Sequence, residues 1–211
     1  SEALKVIELD VSSYYIADIS GIEYFTNLKR LICWNTQITD LNISALQELI
    51  YLDCSTNYIK NLDLSSLKKM ETLVCGQGYL TTLNLTGLDK LHHLHLGYNA
   101  LQELNLSGLV SLKFIDCANN MIPKLDLSGL TMLEDLICNN NKITSLTNIT
   151  DCPELTRIWA YSNELPTIDF SNCAKLLDLW ADNNRLVSVD LTVPKNIGNA
   201  SLGNNRLTTL K

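Results

Sequence analysis

Apolar residues recur along the chain at fixed positions of a 21-residue unit. Five successive units start at Leu31, Leu52, Leu73, Leu94 and Ile115, and each carries apolar residues at positions 1, 3, 8, 11, 13, 16 and 19. One unit cannot bury so many apolar side chains alone, so neighbouring units must stack on one another. Positions 1 and 3 alternate with polar or aromatic residues, which is typical of a strand. The pattern therefore predicts a solenoid whose successive strands form one parallel sheet with right-handed connections.

The repeat extends over nearly the whole chain and predicts a single domain of about nine full units and a partial one. The predicted units are 9–30, 31–51, 52–72, 73–93, 94–114, 115–135, 136–157, 158–178, 179–199 and the partial unit 200–211, and residues 1–8 are interpreted as the remnant of an N-terminal cap. Solenoid ends need capping and the last unit stops halfway, so we expect further repeats or another domain in the natural chain. The segments at positions 11–13 are too short and extended for helices, which predicts little helix and a shallow arc.

A column of asparagines follows the predicted strands at position 6 of the unit. An amide side chain can both donate to and accept from backbone groups that a turn leaves unpaired. We therefore expect a structural role for this column, whose members are Asn57, Asn99, Asn120, Asn141, Asn163, Asn184 and Asn205.

These residues resemble the leucine-rich repeat family, whose pattern is LxxLxLxxN. The stretch "LIYLDCSTN" shows that pattern, and "LVSLKFIDCANN" shows it with one extra residue before its asparagine. The 21-residue form "LDCSxNxLxxLDLSxLxxL" is similar to the bacterial, internalin-like subclass with a cysteine at strand position 3. The resemblance implies a leucine-rich-repeat right-handed solenoid, an α/β-class horseshoe of shallow curvature with a parallel β-sheet on its concave face. It also implies a secreted or surface-attached bacterial protein that binds a protein partner, such as a host or cell-surface protein.

All seven cysteines occupy apolar columns of the repeat. Cys33, Cys54, Cys75, Cys117 and Cys138 stand at position 3, and Cys152 and Cys173 stand at position 16. The sequence predicts that they are small buried residues of the core. Side chains in register on parallel strands run alongside each other, which disfavours a disulfide, and only the pair Cys152–Cys173 is left open. No CxxC motif is present, which argues against a zinc site built from cysteines.

The residues on either side of position 1, together with position 4, are expected to face outward on the concave sheet surface. All three tryptophans of the chain fall in this set, and exposed aromatic patches usually mark interaction sites. We expect Trp159 beside Trp180, with Tyr161 and Phe114 nearby, and a second cluster of Trp34, Ile32 and Tyr51. The alternative is that the aromatic side chains only stabilise the sheet by cross-strand stacking. The candidate partner-binding residues are Arg30, Ile32, Trp34, Tyr51, His93, His95, Phe114, Ile137, Arg157, Trp159, Tyr161, Asp178, Trp180 and Asp182.

Charge and composition narrow the class of function. The net charge of −7 argues against a nucleic-acid partner, and no apolar run in this fragment reaches the ~18 residues of a membrane span. No catalytic set and no cofactor motif can be placed, and His93, His95 and Asp116 are a weaker candidate for a metal site. The sequence therefore predicts a non-catalytic module that binds a protein on its concave face, and the resemblance implies that it is extracellular or attached to the cell surface. Two alternatives remain, a structural spacer in a longer surface protein and a glycan-binding face with Arg157, Asp178 and Asp182 beside the aromatic rings.

Overall fold

The computed structural model describes residues 2–211, which form a parallel-strand β-solenoid of about ten turns. In chain order its strands are β1 (Glu8–Asp10), β2 (Arg30–Ile32), β3 (Tyr51–Asp53), β4 (Asn61–Asp63), β5 (Thr72–Val74), β6 (Thr82–Asn84), β7 (His93–His95), β8 (Phe114–Asp116), β9 (Lys124–Asp126), β10 (Asp135–Ile137), β11 (Ser145–Thr147), β12 (Arg157–Trp159), β13 (Asp178–Trp180), β14 (Ser188–Val189), β15 (Asn199–Ser201) and β16 (Thr209–Leu210). Ten of them form one sheet, in the order β1-β2-β3-β5-β7-β8-β10-β12-β13-β15. The leucine-rich-repeat solenoid that the sequence predicts is confirmed.

The strands of the large sheet pair in parallel with every turn in the same register. Leu31 on β2 lies opposite Leu9 on one side and Leu52 on the other, and this one-to-one alignment continues along the sheet. The middle residue of each three-residue strand points into the solenoid, where Leu31, Leu52 and Leu73 are fully buried. The two flanking residues of each strand therefore project from the concave face.

The outer side of the solenoid consists of short extended segments. Three two-stranded parallel sheets lie there, β4–β6, β9–β11 and β14–β16. Within residues 2–211 the helices are three short 3-10 helices, Glu2–Lys5, Ile22–Tyr24 and Ile149–Asp151. The prediction of little helix is confirmed, because positions 11–13 continue as strand or turn instead of coiling.

The asparagine column lies just inside the turn that follows each concave strand. In Asn120, Nδ2 donates to the carbonyl oxygens of Leu96 at 3.0 Å and Cys117 at 3.1 Å, and Oδ1 accepts from the Leu101 amide at 3.0 Å. Each side chain thus ties its own turn to the preceding one. The same bonding recurs at Asn57, Asn99, Asn141, Asn163, Asn184 and Asn205.

The structure corrects one expectation about the cysteines. Cys54 and Cys75 are joined by a disulfide, although the sequence analysis disfavoured bonding between cysteines in register. They occupy the same column on adjacent turns with Cα atoms 5.1 Å apart, which is within the usual ~4.4–6.8 Å range for disulfides. Cys152 and Cys173, the pair left open, are free thiols.

The remaining buried cysteines are poorly suited to nucleophilic chemistry. Burial raises the pKa of Cys33, Cys138 and Cys152 to about 12 and that of Cys173 to about 11. A thiol with so high a pKa carries little thiolate near neutral pH. These side chains therefore act as apolar residues of the core.

Candidate binding surface

Trp159 and Trp180 lie side by side on the concave face, on the paired strands β12 and β13. Their ring centroids are 5.8 Å apart, and the Tyr161 ring lies 6.4 Å from that of Trp180. Trp180 keeps 44% of its surface exposed, whereas Trp159 and Tyr161 are half-buried. We call these three residues the tryptophan cluster. It forms because an unbroken 21-residue step brings the same position of two successive turns into register.

The carboxylate of Asp178 holds both indole rings of the tryptophan cluster. Its Oδ2 accepts a hydrogen bond from Trp159 Nε1 and its Oδ1 accepts one from Trp180 Nε1, each at 3.0 Å. Arg157 lies beside them, with Nη1 3.2 Å from Asp135 Oδ2 and its guanidinium carbon 5.6 Å from the Trp159 ring centroid. The rings are therefore fixed in orientation before any ligand arrives. Sequence reasoning named Asp178 as a polar neighbour but did not predict this bridge.

A cavity of about 420 Å³ opens on the same face beside Trp34. We call it the Trp34 pocket. Trp34 and Tyr98 stand at its sides, 41% and 62% exposed, and Asp53, His95 and Asp116 also line it. Gly76 and Gly97 form its floor, since both occupy position 4 of their units. The sequence analysis did not predict this cavity.

His93, His95 and Phe114 form a third group between the other two. The Phe114 ring centroid lies 4.5 Å from that of His95 and 6.1 Å from that of His93. Partial burial lowers the pKa of both histidines, and in His95 the carboxylates of Asp116 and Asp53 act against that shift. Phe114 thus packs with the histidines, whereas the sequence analysis expected it near the tryptophan pair. Within residues 2–211 no three His, Cys, Asp or Glu side chains are placed to hold a metal ion.

The remaining candidate residues are spread along the sheet. The Arg30 guanidinium carbon lies 4.0 Å from the Tyr51 ring centroid, and Arg30 Nε lies 3.4 Å from Glu8 Oε1. Ile32 pairs in register with Asp53, so the expected cluster of Trp34, Ile32 and Tyr51 is divided between this stack and the Trp34 pocket.

At the other end of the sheet, two further candidates flank the tryptophan cluster. Ile137 pairs with Trp159. Asp182 Oδ1 accepts hydrogen bonds from the Ser201 hydroxyl and from the Gly203 amide.

A cavity of about 830 Å³ lies on the outer side of the solenoid. Position-12 side chains such as Asn42, Asp63 and Asn84 line it, and each accepts a hydrogen bond from the amide two residues further along the chain. These groups close turns, which accounts for their polarity. Turn closure does not account in the same way for the exposed aromatic and charged side chains of the concave face.

Comparison with solved structures shows that the chain is similar to internalins. It is 25% identical to the functional domain of InlJ from Listeria monocytogenes, which includes a cysteine ladder; the TM-score is 0.76, and the match covers 96% of this chain and 54% of that one. The internalin InlF from the same species is also 25% identical, with a TM-score of 0.61 over 99% of this chain and 81% of InlF. The chain is an internalin-like leucine-rich-repeat protein.

A similar solenoid occurs outside the internalins. YopM, a leucine-rich effector protein from Yersinia pestis, is 25% identical, with a TM-score of 0.80 over 97% of this chain and 56% of YopM. The chain thus spans about half of the InlJ and YopM structures. No family model matches the chain, and no curated protein matches it. Among residues 2–211 no helix has the length and apolarity needed to cross a membrane.

Proposed function

We propose that this chain is a non-catalytic module that binds a protein partner on the concave face of its solenoid. The observation that carries the proposal is the Asp178 bridge, which holds two tryptophan rings in place at the solvent boundary. Packing within the chain does not require the two rings to be held in this way, because Trp180 remains 44% exposed to solvent. An apolar ring held rigid in solvent loses little entropy when a partner covers it.

The composition of the face supports a protein ligand. Tryptophan, tyrosine and arginine dominate binding hot spots, and Arg157, Trp159, Tyr161 and Trp180 lie together on two adjacent turns of the solenoid. The solved relatives are described as internalins and as an effector protein, which fits a role in binding. By the same likeness we place the protein outside the bacterial cell, secreted or attached to its surface.

The test is a paired capture experiment from extracellular protein and glycan pools. The baits are the native chain, the concave variant Trp34→Ala/Trp159→Ala/Trp180→Ala, and a control variant Tyr14→Ala/Tyr15→Ala/Tyr24→Ala. The three control tyrosines are 65%, 89% and 67% exposed and lie outside the concave sheet. All three baits must give the same circular dichroism spectrum.

We expect a protein that the native chain and the control variant both retain and that the concave variant loses by at least roughly tenfold in affinity, because hot-spot truncations cost about 2 kcal/mol or more. Retention of that protein by the concave variant would contradict the proposal. A glycan retained instead would identify a sugar ligand, and no dependence on the three tryptophans would favour a structural spacer.

A further inference from the structure

We propose that the Trp34 pocket receives a lysine or arginine side chain of the protein partner. The inference rests on the proposed function and names the chemistry of one part of that partner. Three properties of the pocket carry it: its glycine floor, its two partly unpaired carboxylates and its aromatic sides.

The floor is open because two successive turns lack a side chain at position 4. Neither glycine has a φ in the left-handed region, so the local backbone does not require glycine. A Cβ at Gly76 would lie 3.1 Å from the Gly97 carbonyl oxygen, and a Cβ at Gly97 would lie 3.2 Å from Asp116 Oδ2. The absence of side chains therefore leaves the cavity and lets the Asp116 carboxylate lie directly over Gly97.

The two carboxylates of the pocket each have one oxygen to spare. Asp53 Oδ1 accepts from the Ser55 amide at 3.0 Å and from its hydroxyl at 2.8 Å, and Asp116 Oδ1 accepts from the Ala118 amide at 3.0 Å. No residue between 2 and 211 donates to Oδ2 of either aspartate or forms an ion pair with it.

Three other carboxylates of the face lie close to an arginine. Arg30 pairs with Glu8, and Arg157 lies 3.2 Å from Asp135 and 3.9 Å from Asp178. The Trp34 pocket, in contrast, holds two carboxylates, Asp53 and Asp116, that form no ion pair with residues 2–211. A ligand with a positively charged end would complement the negative charge of the pocket.

The aromatic sides suit the shape of that ligand. A cation within about 6 Å of a tryptophan or tyrosine ring is attracted to its face, and Trp34 and Tyr98 stand exposed at the rim. Val74 also lines the cavity and offers an apolar contact for a methylene chain. A lysine or arginine side chain has a long aliphatic stem and a cationic end, which match the apolar, aromatic and acidic surfaces of the pocket.

The test uses small probes that need no knowledge of the partner. N-acetyl-arginine-N-methylamide and N-acetyl-lysine-N-methylamide are titrated into the ¹⁵N-labelled chain, with the neutral isostere N-acetyl-citrulline-N-methylamide as the ligand control. We expect the cationic probes to shift the Trp34 indole N–H and the amides of Gly76 and Gly97. The variants Asp53→Asn and Asp116→Asn should weaken this binding roughly 3- to 10-fold each, because each removes one charge while keeping the shape.

Asp182→Asn is the matched control variant, since Asp182 lies on the same face outside the pocket. It should leave the affinity for the cationic probes unchanged. Equal binding of citrulline and arginine probes, shifts confined to the Trp180 region, or equal affinity in Asp53→Asn and Asp116→Asn would each overturn the inference.

The two proposals fail in different ways. If a captured partner depends on the tryptophans but the probes bind without any need for Asp53 and Asp116, this inference is wrong and the proposed function stands. If the probes bind through both aspartates but no partner depends on the concave face, the proposed function is wrong, and with it the identity of the occupant.

Discussion

Single side chains determine how this surface is presented. The two oxygens of Asp178 are divided between the indoles of Trp159 and Trp180, so one carboxylate sets the orientation of both rings. Such preorganisation improves affinity by reducing the conformational entropy that is lost on binding, without adding a contact. Asp178 thus acts as a positioning residue for the tryptophan cluster.

Asp178→Ala should free both indole rings. We expect the indole N–H signals of Trp159 and Trp180 to move upfield in a ¹H–¹⁵N spectrum while that of Trp34 stays in place, because only the first two lose an acceptor. Asp182→Ala is the control, since its carboxylate bonds to Ser201 and Gly203 and to neither indole. Unchanged signals for both rings in Asp178→Ala would contradict the bridge.

Asn120→Ala should cost roughly 1–3 kcal/mol of stability, because it leaves the buried Leu101 amide without a partner, whereas the Leu96 carbonyl keeps the hydrogen bond from Asn99 Nδ2. Urea unfolding followed by circular dichroism measures this. The exposed Asn196→Ala serves as the control and should change stability by less than about 0.5 kcal/mol. Equal free energies of unfolding for the two variants would show that the asparagine column does not contribute to stability.

At the scale of elements, position 12 closes the turn that follows each outer segment. The side chains of Asp63, Asp126, Asp169 and Asp190 accept hydrogen bonds from the residue two positions on, and these bonds lower the pKa of each carboxyl. At Asp126 a hydrogen bond from Asn148 is the larger cause. Asn42, Asn84 and Asn105 close the equivalent turns in other units with an uncharged amide.

These carboxylates should make the protein sensitive to acid. The pKa of each of these carboxyls is lower in the folded chain than its ordinary value of 3.8. Each carboxylate therefore contributes stability above pH 3.8, and this contribution is lost as the pH falls through the lowered pKa of the folded chain. We expect the variant Asp63→Asn/Asp126→Asn/Asp169→Asn/Asp190→Asn to lose less stability than the native chain between about pH 5 and pH 2, measured by urea unfolding.

The control for the acid experiment is Asp40→Asn/Asp89→Asn. These two exposed carboxylates accept no hydrogen bond from residues 2–211, so their removal should leave the acid dependence closer to that of the native chain. If both variants flatten the profile equally, the general charge of the chain is responsible and the turn bonds are not.

Elements were predictable from the sequence where one residue type repeats in one environment. The strands and the outer extended segments follow from leucine columns, because burial selects an apolar residue at the same step in every turn. The Asp178 bridge and the Trp34 pocket were not predictable, since they depend on rotamers and on glycines in two particular turns. The Cys54–Cys75 disulfide was missed because side chains in register on parallel strands were judged to run alongside each other, in an arrangement unfavourable for a bond.

At the scale of the whole molecule, charge is distributed unevenly. The net charge is −7, and the outward positions of the concave sheet carry seven acidic and two basic residues. The acidic residues are Glu8, Asp10, Asp53, Asp116, Asp135, Asp178 and Asp182, and the basic ones are Arg30 and Arg157. A partner with a basic surface would be drawn toward this face from a distance.

Association with the captured partner should therefore slow as salt is added. Raising the salt from about 0.1 M to about 1 M shortens the Debye length from about 10 Å to about 3 Å, so the attraction no longer reaches beyond the contact itself. Stopped-flow mixing followed by tryptophan fluorescence gives the association rate constant. Asp53→Asn/Asp116→Asn should flatten the salt dependence, whereas Asp40→Asn/Asp89→Asn removes the same number of charges outside the face and should leave it nearly as steep. Equal flattening in both variants would mean that the partner responds to net charge alone, and an association rate that does not depend on salt would argue against a basic partner.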